Sequence, residues 1–420
     1  MQDVSVPSAP LHTPAPMSPI AIRAFTATTA LGRGLQAQYD ALDTQRSGLR
    51  RNDFGPHVDG APLPCFIGRV DGLEASPLPV EWRAWECRNN RLAWMALQQD
   101  GVRESLDAAI ARFGAERVAV VIGTSTASIG ETEDAYAKLQ PTDDGVVFAA
   151  PYARSIVHTP HSLGHFVAHA TGARGPCITV ATACSSSAKV FAQAARLIHA
   201  GVVDAALVGG VDTLCGSVLF GFNALQLVSP TPCIPFDVRR VGLSLGEAGG
   251  FAVLERADQA GPGAHDALQL RGYGESSDAH HMSAPHPQGL GAQHAMRDAM
   301  ARAGLEAGDV DYLNLHGTAT PANDSVEARA VAALFPGTLH ASSTKGWTGH
   351  TLGAAGIVES VIALLALRHG LLPGMLGSEH PDPDCGPQIR FQPARREIRH
   401  AMNNSFGFGG NNCALVFGRA

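Results

Sequence analysis

Two kinds of apolar pattern alternate along the chain. Short runs, several rich in β-branched residues, stand at Arg117–Gly123, Cys177–Cys184, Asp204–Gly209, Gly250–Glu255, Asp311–His316, His340–Thr344 and Cys413–Phe417. Apolar runs of this length read as buried strands. Between and around them, apolar residues recur at helical spacing in Asn89–Gln99, Ala188–His199, Ala292–Ala303, Ser325–Leu334 and the strongly apolar Gly356–Leu367. In Ala188–His199, Val190, Ala194, Leu197 and Ile198 share a face, and Gly201 supplies a C-terminal stop. Strands alternating with helices predict an α/β fold with parallel sheets covered on both faces. An entry strand is placed at Ile20–Ala27. Residues 1–18, with Pro7, Pro10, Pro14 and Pro16, read as a flexible leader. Gly261-Pro262-Gly263, within Ala257–Ala267, divides the remainder into halves at 19–257 and 258–420.

Composition narrows the classes of function. The chain has 420 residues, 45% hydrophobic and 16% charged, enough for two fused α/β halves around a large core. A formal net charge of −7 supplies no global basic field for nucleic acid. The eight cysteines lack metal-ligand spacing, with no CxxC and no HExxH, so neither a structural zinc nor a cofactor is expected. The N-terminus has no basic segment followed by an apolar one and does not read as a signal peptide. No segment approaches the uninterrupted apolar length of a bilayer span, which places the chain in the cytosol with its thiols reduced.

Cys184 is the first candidate for chemistry. It ends the run Cys177-Ile178-Thr179-Val180-Ala181-Thr182-Ala183-Cys184 and is followed by Ser185-Ser186-Ser187 and a helix. A thiol at a strand-to-helix corner faces the positive end of a helix dipole, which favours thiolate. A single cysteine is more often an inert buried residue, so its company decides. His316 ends an apolar run and opens His316-Gly317-Thr318-Ala319-Thr320-Pro321. His350 stands in Ser343-Thr344-Lys345-Gly346-Trp347-Thr348-Gly349-His350, and the chain closes on Asn404-Ser405-Phe406-Gly407-Phe408-Gly409-Gly410-Asn411-Asn412. The carboxyl ends of strands are where α/β folds bind ligands.

These blocks, together with Pro235-Phe236-Asp237, Gly246-Glu247-Ala248, Asp278-Ala279-His280-His281-Met282-Ser283-Ala284-Pro285 and Asn323-Asp324, resemble the β-ketoacyl-acyl-carrier-protein synthases of the elongating Cys-His-His type. The resemblance runs from about Ile20 to Phe417. It implies a thiolase fold, two similar halves stacked as five α/β/α/β/α layers, although the sequence itself shows no repeat. It implies a decarboxylative condensation of a cysteine-bound acyl chain with a malonyl-carrier thioester, in fatty acid, polyketide or aryl-polyene assembly. Cys184 matches the nucleophile, and His316 and His350 match the pair that stabilises the enolate. Lys345 matches an active-site lysine, with Glu359 or Glu327 as its carboxylate partner.

The resemblance also places Phe408 and Cys184 N–H groups in an oxyanion hole and the Phe408 ring at a gate. It puts Thr318, Thr320, Phe406 and Phe222 among substrate-binding residues, with Phe406 equally a core residue. Asn314 and Glu359 match positions that help bind a structural monovalent cation, or serve as core hydrogen-bonding groups. The acyl tunnel is expected from Leu219–Leu227 and Thr124–Thr126. The implied partners are acyl- and malonyl-loaded carrier protein, docked on a small basic patch, and a second subunit, either a copy of the chain or a silent chain-length factor, paired through Ala205–Val211. A silent subunit or a thiolase are the competing readings. The former would lack the nucleophile, and the latter would carry a second cysteine near the C-terminus. Trp347 departs from the smaller residue usual in housekeeping enzymes, and the motifs look closest to aryl-polyene and pigment synthases.

Overall fold

The computed structural model describes residues 13–55, 61–257 and 268–420. Most of the leader and the Gly261-Pro262-Gly263 division lie outside them. Among the described residues the main sheet has eleven strands, the two-residue Gly32–Arg33 paired to the first of them and ten in one path: β1 (Ile20–Thr29), β2 (Val118–Gly123), β3 (Cys177–Val180), β4 (Ala205–Asp212), β5 (Ala248–Arg256), β6 (Leu268–Ser277), β7 (Tyr312–Asn314), β8 (His340–Ser342), β9 (His400–Gly407) and β10 (Asn411–Arg419). The principal helices are α1 (Arg88–Leu97), α2 (Val102–Phe113), α3 (Ser162–Thr171), α4 (Ser186–His199), α5 (Gly216–Ala224), α6 (Leu290–Ala303), α7 (Pro321–Leu334) and α8 (Ala355–His369). Most elements expected from periodicity are present with shifted ends. Strands β6 and β9 and helices α2 and α3 were not anticipated.

The strand order is β8-β7-β9-β10-β6-β1-β5-β4-β2-β3. The two halves meet at β1 and β6 through only two residue pairs, Ile20 with Leu270 and Ala21 with Gln269. Outward from that seam, β1-β5-β4-β2-β3 pair antiparallel, antiparallel, parallel, parallel. The path β6-β10-β9-β7-β8 repeats the same sequence of pairings. Chain order repeats too, offset by five strands. The duplication implied by the resemblance therefore exists in topology, where direction and neighbour define it and side chains do not.

Helices α4 and α8 pack on each other and against strands of both halves, forming the central layer. Helices α1, α2 and α3 cover the outer face of the first half, and α6 with α7 that of the second, completing five layers. Thirteen of the fifteen residues of α8 are buried, which explains a composition apolar on every face. The stretch Leu352–His369 has mean hydropathy 1.5, long and apolar enough to cross a membrane, but 89% of it is buried inside the protein. Glu359, Ser360 and Arg368 interrupt its apolar run, and the length serves a core helix.

Two further expectations change. The run from Cys177 is not a buried strand. It is the outer edge of the sheet, bonded to β2 on one side, with Cys177 exposed and its successors half-buried. The segment Ala205–Val211 cannot pair with a second subunit, because β4 is held between β5 and β2. In the first half, the edge that lacks a second neighbour among the described strands is β3; β8 is the corresponding edge of the second half.

The crossing of α4 and α8 depends on Gly356. A Cβ there would lie 2.3 Å from the backbone N of Ala188 and 2.8 Å from its Cβ. Gly356→Ala is expected to cost about 2–3 kcal/mol by overpacking two rigid backbones, read as a lowered denaturant midpoint.

Candidate active site

Strand β3 ends at Val180, and the chain turns through Ala183–Ser185 before α4 begins at Ser186. Ala183 has φ 51°, a left-handed conformation that strains a residue bearing a Cβ. The serines hold this corner. Ser186 Oγ accepts the N–H of Thr182 at 2.9 Å and donates to the carbonyl of Ala183 at 2.6 Å, while Ser185 Oγ donates to the carbonyl of Thr182 at 2.9 Å. Gly407 runs so close that a Cβ on it would stand 2.7 Å from the Thr182 carbonyl. That approach brings the N–H of Phe408 to the sulfur of Cys184.

The equivalent corner of the second half carries His350, between β8 and α8, and His316 follows β7. The two corners meet because α4 and α8 cross. His350 Nε2 lies 2.9 Å from Cys184 Sγ, and one ligand atom from each of Cys184, His316 and His350 lies within 4.8 Å of the others. The imidazole rings stand 5.4 Å apart, nearly perpendicular at 85°. All three residues are buried.

Lys345 is 1% exposed, and its Nζ donates to the His316 carbonyl and to Glu359. Of the two carboxylates considered for it, Glu359 is the partner. Glu327 instead accepts the N–H groups of His316 at 2.9 Å and Gly317 at 2.8 Å, and the Asn404 side-chain amide at 3.2 Å. It thereby fixes the loop that presents His316.

The electrostatics reverse one expectation. The Cys184 thiol is pushed up to about 11, because burial outweighs the Lys345 charge and the Phe408 N–H, and Glu359 and Asp212 add to the rise. The helix terminus does not yield a resting thiolate. Burial, with Lys345 and for His316 also His350, holds both imidazoles well below the ordinary histidine range. The resting site is thus a thiol beside neutral histidines. Burial also raises Glu327 and Glu359 to about 7.

A cavity of about 270 Å³ opens onto these groups. Thr318, Thr320, Phe222, Phe406 and Phe408 line it, and the Thr318 and Thr320 hydroxyls bond each other at 2.8 Å. Phe222 stacks on Phe408 with centroids 5.8 Å apart and planes at 21°. Phe406 is more than core filling: it lines the cavity and its ring lies 6.0 Å from that of His316. From the expected tunnel segment, Leu227 and Phe222 reach the cavity, whereas Leu225 is 54% exposed. Thr124, Ser125 and Thr126 are not in the wall; they surround Asp212. Leu243 and Ser283–Pro285 line the cavity without having been assigned a role from sequence. They arrive from loops, where periodicity carries no signal.

Comparison with known proteins agrees with this geometry. The N-terminal domain of β-ketoacyl synthases matches residues 89–260, and the C-terminal domain matches 268–379. The 3-oxoacyl-(acyl-carrier-protein) synthase 2 of Staphylococcus aureus is 35% identical over 314 residues, 72% of this chain and 77% of that protein. The mitochondrial 3-oxoacyl-(acyl-carrier-protein) synthase of Arabidopsis thaliana is 40% identical over 264 residues, 59% of this chain and 57% of that protein. Among solved structures, a ketosynthase (ApeO) in complex with its chain length factor (ApeC) from Xenorhabdus doucetiae superposes with TM-score 0.85 at 36% identity, covering 96% of this chain and 98% of that one. The chain belongs to the β-ketoacyl synthase family. It is an acyltransferase of the 3-oxoacyl-acyl-carrier-protein synthase class with the thiolase fold.

Because Lys345 depresses both imidazoles, Lys345→Met should raise the titration midpoints of His316 and His350 toward the ordinary histidine value. The side-chain ¹⁵N resonances of the two rings, followed against pH in folded protein, read this directly.

Proposed function

We propose that Cys184 carries the growing acyl chain and that the two histidines drive loss of CO2 from a malonyl-carrier thioester. The observation that supports this most is the 2.9 Å contact between His350 Nε2 and the Cys184 sulfur, in a cavity with an apolar aromatic wall. In the first half-reaction the thiol proton passes to His350 as sulfur attacks the acyl-carrier thioester. The carrier's sulfur leaves and takes that proton, so the imidazole ends neutral. The N–H groups of Phe408 and Cys184 bind the developing oxyanion, a role worth about 3–4 kcal/mol per donor.

In the second half-reaction the malonyl C–CO2 bond breaks and its electron pair enters the thioester as an enolate. Neutral His316 donates its N–H to the thioester oxygen, and His350 does so from Nε2 in the tautomer that carries its proton there, since the acylated sulfur no longer presents a proton to that nitrogen. Imidazoles held far below their usual range donate without carrying charge of their own. The enolate carbon attacks the acyl carbonyl, the bond to Cys184 sulfur breaks, and the thiolate takes up the proton that the reaction consumes from water. Thr318 and Thr320 line the approach of the carrier's prosthetic arm, and the stacked Phe222 and Phe408 rings gate the acyl chain.

A structural monovalent cation fits beside this site. Asn314 Oδ1, Glu359 Oε2 and Asn403 Oδ1 are buried oxygens without hydrogen-bond donors, and Asn314 and Asn403 are paired across β7 and β9. A hard cation takes such oxygens, and held there it would steady Glu359 beneath Lys345.

The 3-oxoacyl-(acyl-carrier-protein) synthase relatives support acyl- and malonyl-loaded carrier protein as the substrates, in fatty acid or polyketide assembly, and the likeness to the Xenorhabdus doucetiae ketosynthase, solved in complex with its chain length factor, supports pairing with a second subunit. The open edge of β3 and, as a separate observation, the exposed apolar residues Ile129, Tyr136, Val146, Val147 and Ile156 support a partner surface.

Cys184→Gln should abolish condensation and retain malonyl decarboxylation. His316→Ala and His350→Ala should each lower decarboxylation by about two to three orders of magnitude; acylation of Cys184 should stay largely intact in His316→Ala and fall in His350→Ala, which loses the thiol's proton acceptor. Normal decarboxylation in either histidine variant would return that residue to a structural role. Light scattering should give a species near twice the 43.8 kDa chain mass, or a stable pair with a homologous subunit. Val146→Asp combined with Val147→Asp should break it, and a fully active monomer would remove the partner from the account.

A further inference from the structure

Strand β4 ends in a carboxylate, Asp212, that is fully buried. Three hydroxyls and three backbone N–H groups converge on it. Oδ1 accepts Thr124 Oγ1 at 2.5 Å, Thr126 Oγ1 at 2.7 Å, and the N–H groups of Thr126 at 2.9 Å and Ser125 at 3.0 Å. Oδ2 accepts Ser125 Oγ at 2.7 Å, the Ser125 N–H at 2.9 Å and the Gly353 N–H at 2.6 Å. These donors come from two distant places: the loop after β2, in the first half, and the turn Leu352–Ala354 that leads from His350 into α8. Saturation by neutral donors at these distances marks a group accepting as an anion.

The turn has little freedom apart from this anchor. Leu352 stands at φ 58°, and a Cβ on Gly353 would lie 2.6 Å from Asp212 Oδ2 and 2.7 Å from the Ser125 N. On the other side of His350 the backbone is tied to the strand segment near Leu245, through His350 N–H to the Ser244 carbonyl at 2.7 Å and Gly246 N–H to the His350 carbonyl at 2.9 Å. His350 is therefore suspended between two fixed points, of which the one toward α8 is Asp212.

We propose that Asp212 is a positioning residue for condensation: it anchors the His350–Gly353 turn of the second half to the β2 and β4 ends of the first, so that His350 Nε2 holds its place at the Cys184 sulfur. Thr124-Ser125-Thr126 thereby gains a function distinct from lining an acyl tunnel. The charge of Asp212 also acts on the thiol, opposing its ionisation. A neutral replacement should therefore make Cys184 easier to ionise even as it disturbs the histidine.

The inference rests on the condensing reading of the site, but one of its two readouts is independent of that activity. Asp212→Asn keeps the side chain's size and turns at least one donor against an NH2 group. Malonyl decarboxylation should fall about tenfold or more in kcat with KM for the malonyl carrier nearly unchanged, since a small displacement of a catalytic group costs rate before binding. The pH midpoint for alkylation of Cys184 should move to lower pH. Ser125→Ala, a milder change that removes one donor to Oδ2, should lower kcat in the same direction by a few-fold, and it carries the test if the asparagine variant fails to fold. Wild-type kcat in folded Asp212→Asn, or in Ser125→Ala if that variant is needed, overturns the proposal, as does an unmoved alkylation midpoint in folded Asp212→Asn. If wild-type protein itself does not decarboxylate malonyl thioesters, the condensing reading falls, and the alkylation midpoint alone judges the charge of Asp212.

Discussion

Everything in this molecule depends on two buried helices crossing almost in backbone contact. Gly356 of α8 rests on Ala188 of α4 with no space for a methyl group, and the strand-to-helix corners that precede these helices consequently share one volume. One corner presents a cysteine, the other a histidine. A site assembled from opposite halves of a duplicated fold has its geometry set by core packing, whose density leaves little slack. Loops tune it afterwards, as Gly407 does by bringing the Phe408 amide to the sulfur.

Burial then sets the chemistry. It keeps the thiol protonated and the imidazoles neutral, and it raises two nearby glutamates toward neutrality. The single buried ammonium, Lys345, works against the first effect and reinforces the second. Such a site does not store a reactive thiolate. In the proposed reaction the thiol loses its proton only as a thioester is attacked, and the 2.9 Å contact of His350 Nε2 with the sulfur offers the acceptor. Neutral imidazoles are also what the second half-reaction requires, because an enolate is stabilised by donors already oriented toward it.

The convergence of the proposed catalytic trio was legible in sequence because each member sits in a local motif whose glycines, serines and threonines shape one turn. Cys184, His316, His350 and Lys345 all meet where those motifs suggest. What depended on distant pairing was not legible. The topological repeat is invisible because strand direction leaves no mark on side-chain identity. Ala205–Val211 was assigned to the sheet edge because an apolar run looks alike in an interior and an edge strand, and only the neighbours on both sides place it inside. The choice between Glu327 and Glu359 turned on which helix end faces the Lys345 ammonium, and the thiol's protonation on the summed burial around it. Asp212 escaped for a related reason: a lone acid after two glycines gains meaning only when Thr124–Thr126 and Gly353 fold onto it.

The central claim is that Cys184 becomes covalently acylated in the course of the reaction. Intact-protein and peptide mass spectrometry after incubation with acyl-loaded carrier protein tests it most directly. The account predicts one added acyl group per chain, located on Cys184 and discharged when malonyl carrier is supplied. An unmodified chain under conditions that yield condensed product, or an acyl group resident on any other residue, would contradict it.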